Sequence, residues 1–364
     1  MGESRPRTTP QGEAFRAEEI APLPRPLDGA FWVQGRKMED SLASKTKIIG
    51  LILALLILVA MPPFYTSYWI TLLTQMLIYG ILAMSLDILV GYTGLSSFGH
   101  AGFFGSSAYV IGILATRYKM GFLTCFISGI VVATVIGMIF GLLVAHATGV
   151  YFLIMTLALG MTLWGLAFRW VNMTGGDNGI SGIPRPDLGL PISLKDPLTF
   201  YYFVLVFFLV CLILMAIYVR SPFGHSLKGV RESESRMKVL GYHTWLHKYL
   251  SYVSAAAFGG VAGALWAYFD GFISPYNMDL TASIEIILMV ILGGPGTLIG
   301  PALGAGIIVF LKNFISAYTQ RWLLILGTIY ILTIMYAPQG LMNLIKDWIK
   351  GNEKRIEAEE TSEG

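Results

Sequence analysis

The chain has 364 residues, of which 55% are hydrophobic and only 13% charged, and its mean hydropathy is +0.66. Soluble domains carry about 25% charged residues. So apolar a chain has too little polar surface to cover a soluble core, which excludes a disordered protein, a disulfide scaffold and a nucleic-acid binder and leaves an integral membrane protein. The net charge of +3 is the residue of nearly cancelling signs and points to no acidic partner.

In chain order, residues 1–45 read as a largely disordered arm, because Pro10, Pro22, Pro24 and Pro26 interrupt any helix and no apolar run suggests a leader. Phe31-Trp32-Val33 could dip into the headgroup region before the first span. Ten apolar segments follow, at 46–64, 67–90, 103–117, 121–145, 149–170, 198–219, 249–270, 280–293, 300–316 and 321–338. A helix needs roughly 20 residues to cross about 30 Å of hydrocarbon, and several segments reach that length. The third, eighth and ninth are short and bounded by glycine, so they are expected to be half-length or broken helices. The fold class is therefore an all-α polytopic membrane protein of about ten transmembrane or half-length helices, with its membrane domain over 46–338. Residues 339–364 add an interfacial helix, in which Leu341, Leu344, Ile345, Trp348 and Ile349 share a face, and an acidic tail.

Orientation follows from the loops. Loop 220–248 carries six Lys and Arg and loop 171–197 carries two, so the first is expected in the cytoplasm and the second outside. With ten spans both termini are then cytoplasmic, although Arg117, Lys119, Lys312 and Arg321 fall toward the outer face against the rule. Cys125 and Cys211 lie inside apolar runs and read as small hydrophobes.

The chemistry is sparse. The glycine-rich run GGPGTLIG at 293–300 lacks the Lys of a phosphate-binding loop, so any ATP is bound by another subunit. H-E-x-x-H and G-x-S-x-G are absent, no metal set is evident, and nothing suggests an enzyme. Asp87 is the most deeply placed carboxylate. It either lines a pathway, or bonds neighbouring Ser or Thr, or sits near the cytoplasmic interface, and Glu285 lies early in the eighth segment.

Four stretches stand out. In GYTGLSSFGHAGFFGSSAY (91–109), Gly94 and Gly99 permit a helix break, and Ser96, Ser97 and His100 place polar groups in apolar surroundings. In GGPGTLIGPALGAG (293–306), Gly294, Gly296 and Gly300 with Pro295 and Pro301 argue against continuous helix. The two runs resemble each other weakly, too little to define a repeat. In loop 220–248, Gly229 precedes a charged helix-forming stretch, Arg231 to Leu240, stopped by Gly241. A charged helix outside the bilayer suits docking to another protein, or is a solvated connector. In TGGDNGISGIPRP (174–186), Gly175, Gly176, Asp177 and Gly179 suit tight turns in the external loop.

These four stretches, in this order and spread over roughly residues 50–345, resemble the permease subunits of branched-chain amino-acid ABC importers of the LivM type. The N-terminal arm is outside the resemblance. It implies a bacterial inner-membrane permease that pairs with a sister permease, is driven by two cytoplasmic ATPase subunits and receives substrate from an external binding protein. ATP and Mg would then belong to the ATPases, with no cofactor on this chain. Gly229, Glu232, Ser235, Arg236, Leu240 and Gly241 would form the ATPase-coupling loop, with Arg236-Met237 standing where the family usually has a small residue. Gly175, Gly176, Asp177 and Gly179 would face the binding protein. An ion-coupled secondary amino-acid carrier, or an ABC permease for another small solute such as urea, are the alternatives.

Overall fold

The computed structural model describes residues 56, 58–60, 62–186, 194–319, 321–336 and 340–342. The expectations for the N-terminal arm, most of segment 46–64 and the C-terminal interfacial helix lie outside these residues. The chain divides into two units, Met1–Met61 and Pro62–Gly364, and the second holds the membrane domain.

That unit is helical. Helix α1, Ser67–Asp87, continues as a π-helical turn, Ile88–Thr93. Then come α2, His100–Thr116; α3, Phe122–Val144; α4, Gly149–Arg169; and α5, Pro197–Arg220. Two short helices, α6 (Pro222–Glu232) and α7 (Glu234–Val239), lead to α8, Thr244–Asp270. The last described helices are α9, Leu280–Gly293; α10, Ile299–Tyr318; and α11, Trp322–Tyr336. Among the described residues, six stretches are long and apolar enough to cross a membrane: α1 with its π turn, α3, α4, α5, α8 and α10. Helices α2 and α9 are half-length, with 17 and 14 residues, as their glycine boundaries suggested. The ninth segment is not short. Helix α10 runs for 20 residues, because Lys312 and Asn313 find partners inside the bundle and do not end it.

Helices α1, α2 and α8 lie deepest, flanked by α3, α5 and α10. Small residues let these backbones approach. A Cβ on Gly260 would lie 2.7 Å from that of Ala133, and one on Gly102 would lie 2.9 Å from Leu163 Cδ1. On α3, Leu123, Ile127, Val131, Val135, Ile139 and Leu142 form an exposed apolar stripe at helical spacing, which is the lipid-facing side of a membrane helix. Both cysteines are free and buried.

The connections define two ends of the bundle. At one, α6 lies beside the π turn of α1 with α7 packed on α6 and α8, and Lys248 Nζ reaches the carbonyl of Ala147 at 3.2 Å. At the other, strand β1 (Ile180–Ser181) pairs antiparallel with β2 (Phe272–Ile273), Ile180 opposite Ile273 and Ser181 opposite Phe272.

Candidate functional site

The two glycine-rich breaks meet. Gly94, at φ 76°, ends the π turn, and the backbone then runs without helix until His100 opens α2. Gly99 lies against α4 so closely that a Cβ on Gly160 would be 2.8 Å from its Cα. In the second break Gly294 (φ 108°) and Gly296 (φ 81°) turn the chain between α9 and α10, and Leu298 also holds a positive φ of 62°. Glycine adopts such angles without penalty, which is why these positions carry it. Thr297 closes the turn: its hydroxyl donates to the Gly294 carbonyl at 2.7 Å and accepts from the Gly300 N–H at 3.1 Å.

Asp87 joins the breaks. It is fully buried, and its carboxylate accepts hydrogen bonds from the N–H of Gly296 at 2.7 Å and of Leu298 at 3.1 Å. It therefore neither bonds Ser or Thr nor lines an open path. It satisfies the backbone donors that the second break exposes, at the helix end that favours negative charge. Gly91, one turn along, allows the backbone of Gly296 to pass; no Cβ would fit between them.

The helices outside the bundle attach here. Ser221 caps α6 by accepting from Gly224 N–H, with Pro222 in the first turn, and Ser233 caps α7 by accepting from Arg236 N–H. The expected single helix from Arg231 to Leu240 is thus two. Ser233 is extended, at φ −162°, because its hydroxyl competes for the backbone of the following turn. Gly229 lies inside α6, not ahead of a helix, and lets α7 fold back: a Cβ there would be 2.7 Å from Met237 Sδ. Gly241, at φ 86°, stops α7 as expected. Arg231 is exposed, as read, and its guanidinium also donates to the carbonyl of Gly91. Lys228 Nζ lies 5.3 Å from the centre of the Tyr92 ring. Val239 and Leu240, at the tip of α7, are 89% and 70% exposed; Glu232, Ser235 and Arg236 are exposed beside them.

Glu234 anchors this pair of helices to the bundle. Its carboxylate lies 2.9 Å from Lys238 Nζ and 3.3 Å from the buried Lys248 Nζ, and it accepts from Thr244 at 3.2 Å. Partial burial would raise its pKa, but the two ammonium groups outweigh that and hold it below the ordinary carboxyl value. A depressed pKa means stability that is present above the unfolded value and lost as pH falls through the folded one. The hydrogen-exchange protection of residues 233–248, taken relative to the intrinsic rate at each pH, is therefore expected to fall once the pH drops below about 4, near the ordinary Glu pKa. Unchanged protection in acid would show that the ion pairs do not hold the loop.

The other predicted polar residues are dispersed. His100 is fully buried with Nε2 2.7 Å from Ser85 Oγ and its ring edge-on to Phe103. Ser97 is buried and Ser96 exposed. At the opposite end Gly175, Gly176 and Gly179 have φ of 79°, 61° and 65°, and Gly179 allows β1 to meet β2. Asp177 is exposed, and its hydrogen bond and charge raise the Tyr276 phenol above its ordinary pKa. Arg117 donates to the carbonyl of Asn172 across this end.

The sequence singled out neither Lys312 nor its partner as a unit. Lys312 on α10 lies 2.9 Å from both carboxylate oxygens of Glu285 on α9. Their only early signal was two opposite charges in neighbouring apolar segments, 27 residues apart.

A many-spanning helical bundle with two broken helices and an exposed helical pair tied to them defines a membrane permease, a protein that conducts solute rather than transforming it. Residues 68–336 match the model of the family described as the branched-chain amino acid transport system permease component, and the chain belongs to that family. It is similar to the high-affinity branched-chain amino acid transport system permease protein LivM of Escherichia coli, with 30% identity over 82% of this chain and 76% of the relative. It is also similar to the probable LivM of Methanocaldococcus jannaschii, at 26% over 73% of this chain and 90% of the relative. A further relative is LivH of E. coli, at 24% over 72% and 91%. No solved structure matches the chain.

Proposed function

We propose that this chain is half of the transmembrane pathway of an ABC importer for branched-chain amino acids in a bacterial inner membrane. The other half is a sister permease of the same fold; the similarity of this one chain to both LivM and LivH supports such a related pair. Two cytoplasmic ATPases bind the ATP and Mg, and an external binding protein delivers substrate to the end that carries Gly175, Gly176, Asp177 and Gly179. Loop 220–248 and both termini then lie in the cytoplasm.

The observation that carries the coupling role is the continuous tie from the exposed tip of α7 to both helix breaks. It runs from Val239 and Leu240 through α6 to Arg231, to the Gly91 carbonyl, and by way of Asp87 to Gly296. The free energy arises in other chains and has to be delivered mechanically. A short helix pair bonded to the broken segments moves them when it is pulled, so that the pathway alternates between inward- and outward-open states.

Reconstitution tests this reading. ATP-driven uptake of leucine, isoleucine or valine is expected only with the sister permease, ATPases and binding protein present. Gradient-driven uptake by this chain alone would overturn it. Within the complex, Val239→Glu with Leu240→Glu should lower ATPase association at least about tenfold, because apolar anchors at a docking site carry most of the binding energy. The permease itself should unfold at the same temperature as wild type. Normal association of the double variant would remove the α7 tip from the interface.

A further inference from the structure

A cavity of about 240 Å³ opens at the end of the bundle away from α6 and α7, with Tyr276 and Thr281 at its mouth and Glu285 and Lys312 inside. Tyr79, Leu82, Phe104 and Ile286 supply much of the remaining wall. It is smaller than the 300–1,000 Å³ typical of sites for drug-sized ligands, which suits a small solute. The charges inside it call for an explanation. The Glu285 side chain is 11% exposed and that of Lys312 is 30% exposed. A partly buried ion pair contributes little net stability, since desolvation offsets the attraction, and ionised groups within membrane spans mark solute paths.

We propose that this cavity is a binding station for the zwitterionic head of an α-amino acid, with Glu285 receiving the ammonium and Lys312 the carboxylate. The assignment rests on the transport reading above. A zwitterion is matched to a carboxylate–ammonium pair: one internal ion pair is exchanged for two intermolecular ones, and the charge of the site is the same with and without ligand, the further wall carboxylate, Asp279, being engaged by the Ala282 N–H at 2.7 Å. That the ligand adds no net charge matters in a low-dielectric span, where each added unbalanced charge is expensive. The apolar wall of Leu82, Ile286 and Phe104 then receives the side chain, and an aliphatic one leaves no polar group unpaired there. The cavity lies on α9 and α10, the two helices joined by the Gly294–Leu298 break that Asp87 holds. Occupancy and the pull on the breaks therefore act on the same two helices.

The test uses the assembled transporter in liposomes, without binding protein, with Thr281→Cys as a reporter at the mouth. The native Cys125 and Cys211 are buried. At about ten times its dissociation constant, L-leucine is expected to slow maleimide labelling about tenfold. L-Leucinamide, which lacks the carboxylate, and 4-methylpentanoate, which lacks the ammonium, should not slow it. Glu285→Gln should abolish the protection. Protection by all three compounds alike, or by none, overturns the proposal without any variant of the ion pair being needed. The charge-reversed pair, Glu285→Lys with Lys312→Glu, separates ligand recognition from a structural salt bridge. Exchanging the two head groups at a stereocentre inverts it, so L-leucine should not protect the reversed pair, and full restoration would overturn the site. ATP-driven uptake by the wild-type complex with its binding protein is measured in the same liposomes. Its absence would defeat the transport reading, whereas uptake without zwitterion-selective protection defeats the binding station alone.

Discussion

Replacing Asp87 with alanine is expected to cost about 2–4 kcal/mol of stability, since the N–H groups of Gly296 and Leu298 would lose their acceptor and orphaned donors cost about 1–3 kcal/mol each. The carboxylate is fully buried, so bulk water does not reach the two donors as a substitute acceptor. Asp87→Asn keeps the size but offers one acceptor oxygen, so its amide NH₂ faces the second N–H; a smaller loss is expected. Uptake should fall in both variants, because the Gly294–Leu298 turn is then no longer fixed to the π turn that Arg231 grips. Thermal unfolding in detergent and ATP-driven uptake in liposomes check the two effects. An Asp87→Asn protein as stable and active as wild type would show that the carboxylate is dispensable.

Gly304→Ala should be similarly severe for a different reason. Its Cβ would collide with the carbonyl oxygen of Met289 and lie 2.7 Å from the N–H nitrogen of Gly293, so α9 and α10 would have to separate. Both obstacles are backbone, which no rotamer change can clear, and a cost near about 3 kcal/mol is expected, the upper part of the overpacking range. Gly306→Ala is the matched control on the same helix. Its Cβ would meet only Met76 Sδ, at 4.0 Å, and alanine favours helix over glycine by roughly 1 kcal/mol. The control is expected to be neutral or slightly stabilised. If the two variants unfolded at the same temperature, close approach of α9 and α10 would not explain the glycine.

The breaks were legible because glycine and proline punctuate helices through local sterics. Gly94, Gly294 and Gly296 were read as helix breaks and Gly241 as a helix stop, and all four hold a positive φ; Gly300, read with them, lies in the first turn of α10. Helix α7 was foreseen as charged and exposed: its charged Arg236 and Lys238 are exposed, and so is its tip, which is apolar, Val239 and Leu240. Its continuity was not, because whether Ser233 caps or continues a helix depends on a hydroxyl that propensity treats as nearly neutral. Arg231 carried no mark distinguishing it from the other charges of its loop; its partner is a backbone carbonyl 140 residues away. His100 looked like a polar group for a pathway, yet tertiary packing closed it against Ser85 and Phe103.

The amino-acid order alone pointed to a bundle of helices in lipid, to the family, and to most of the places where those helices stop, though not to the length of α10 or the division between α6 and α7. These follow from hydropathy, which a bilayer enforces segment by segment, and from the sterics of single residues. Only the tertiary structure decided that Asp87 serves Gly296 and Leu298, that Glu285 meets Lys312, and that α6 is fastened to the first break. Each of these pairings joins residues far apart in the chain, and such contacts exist only once the helices have packed.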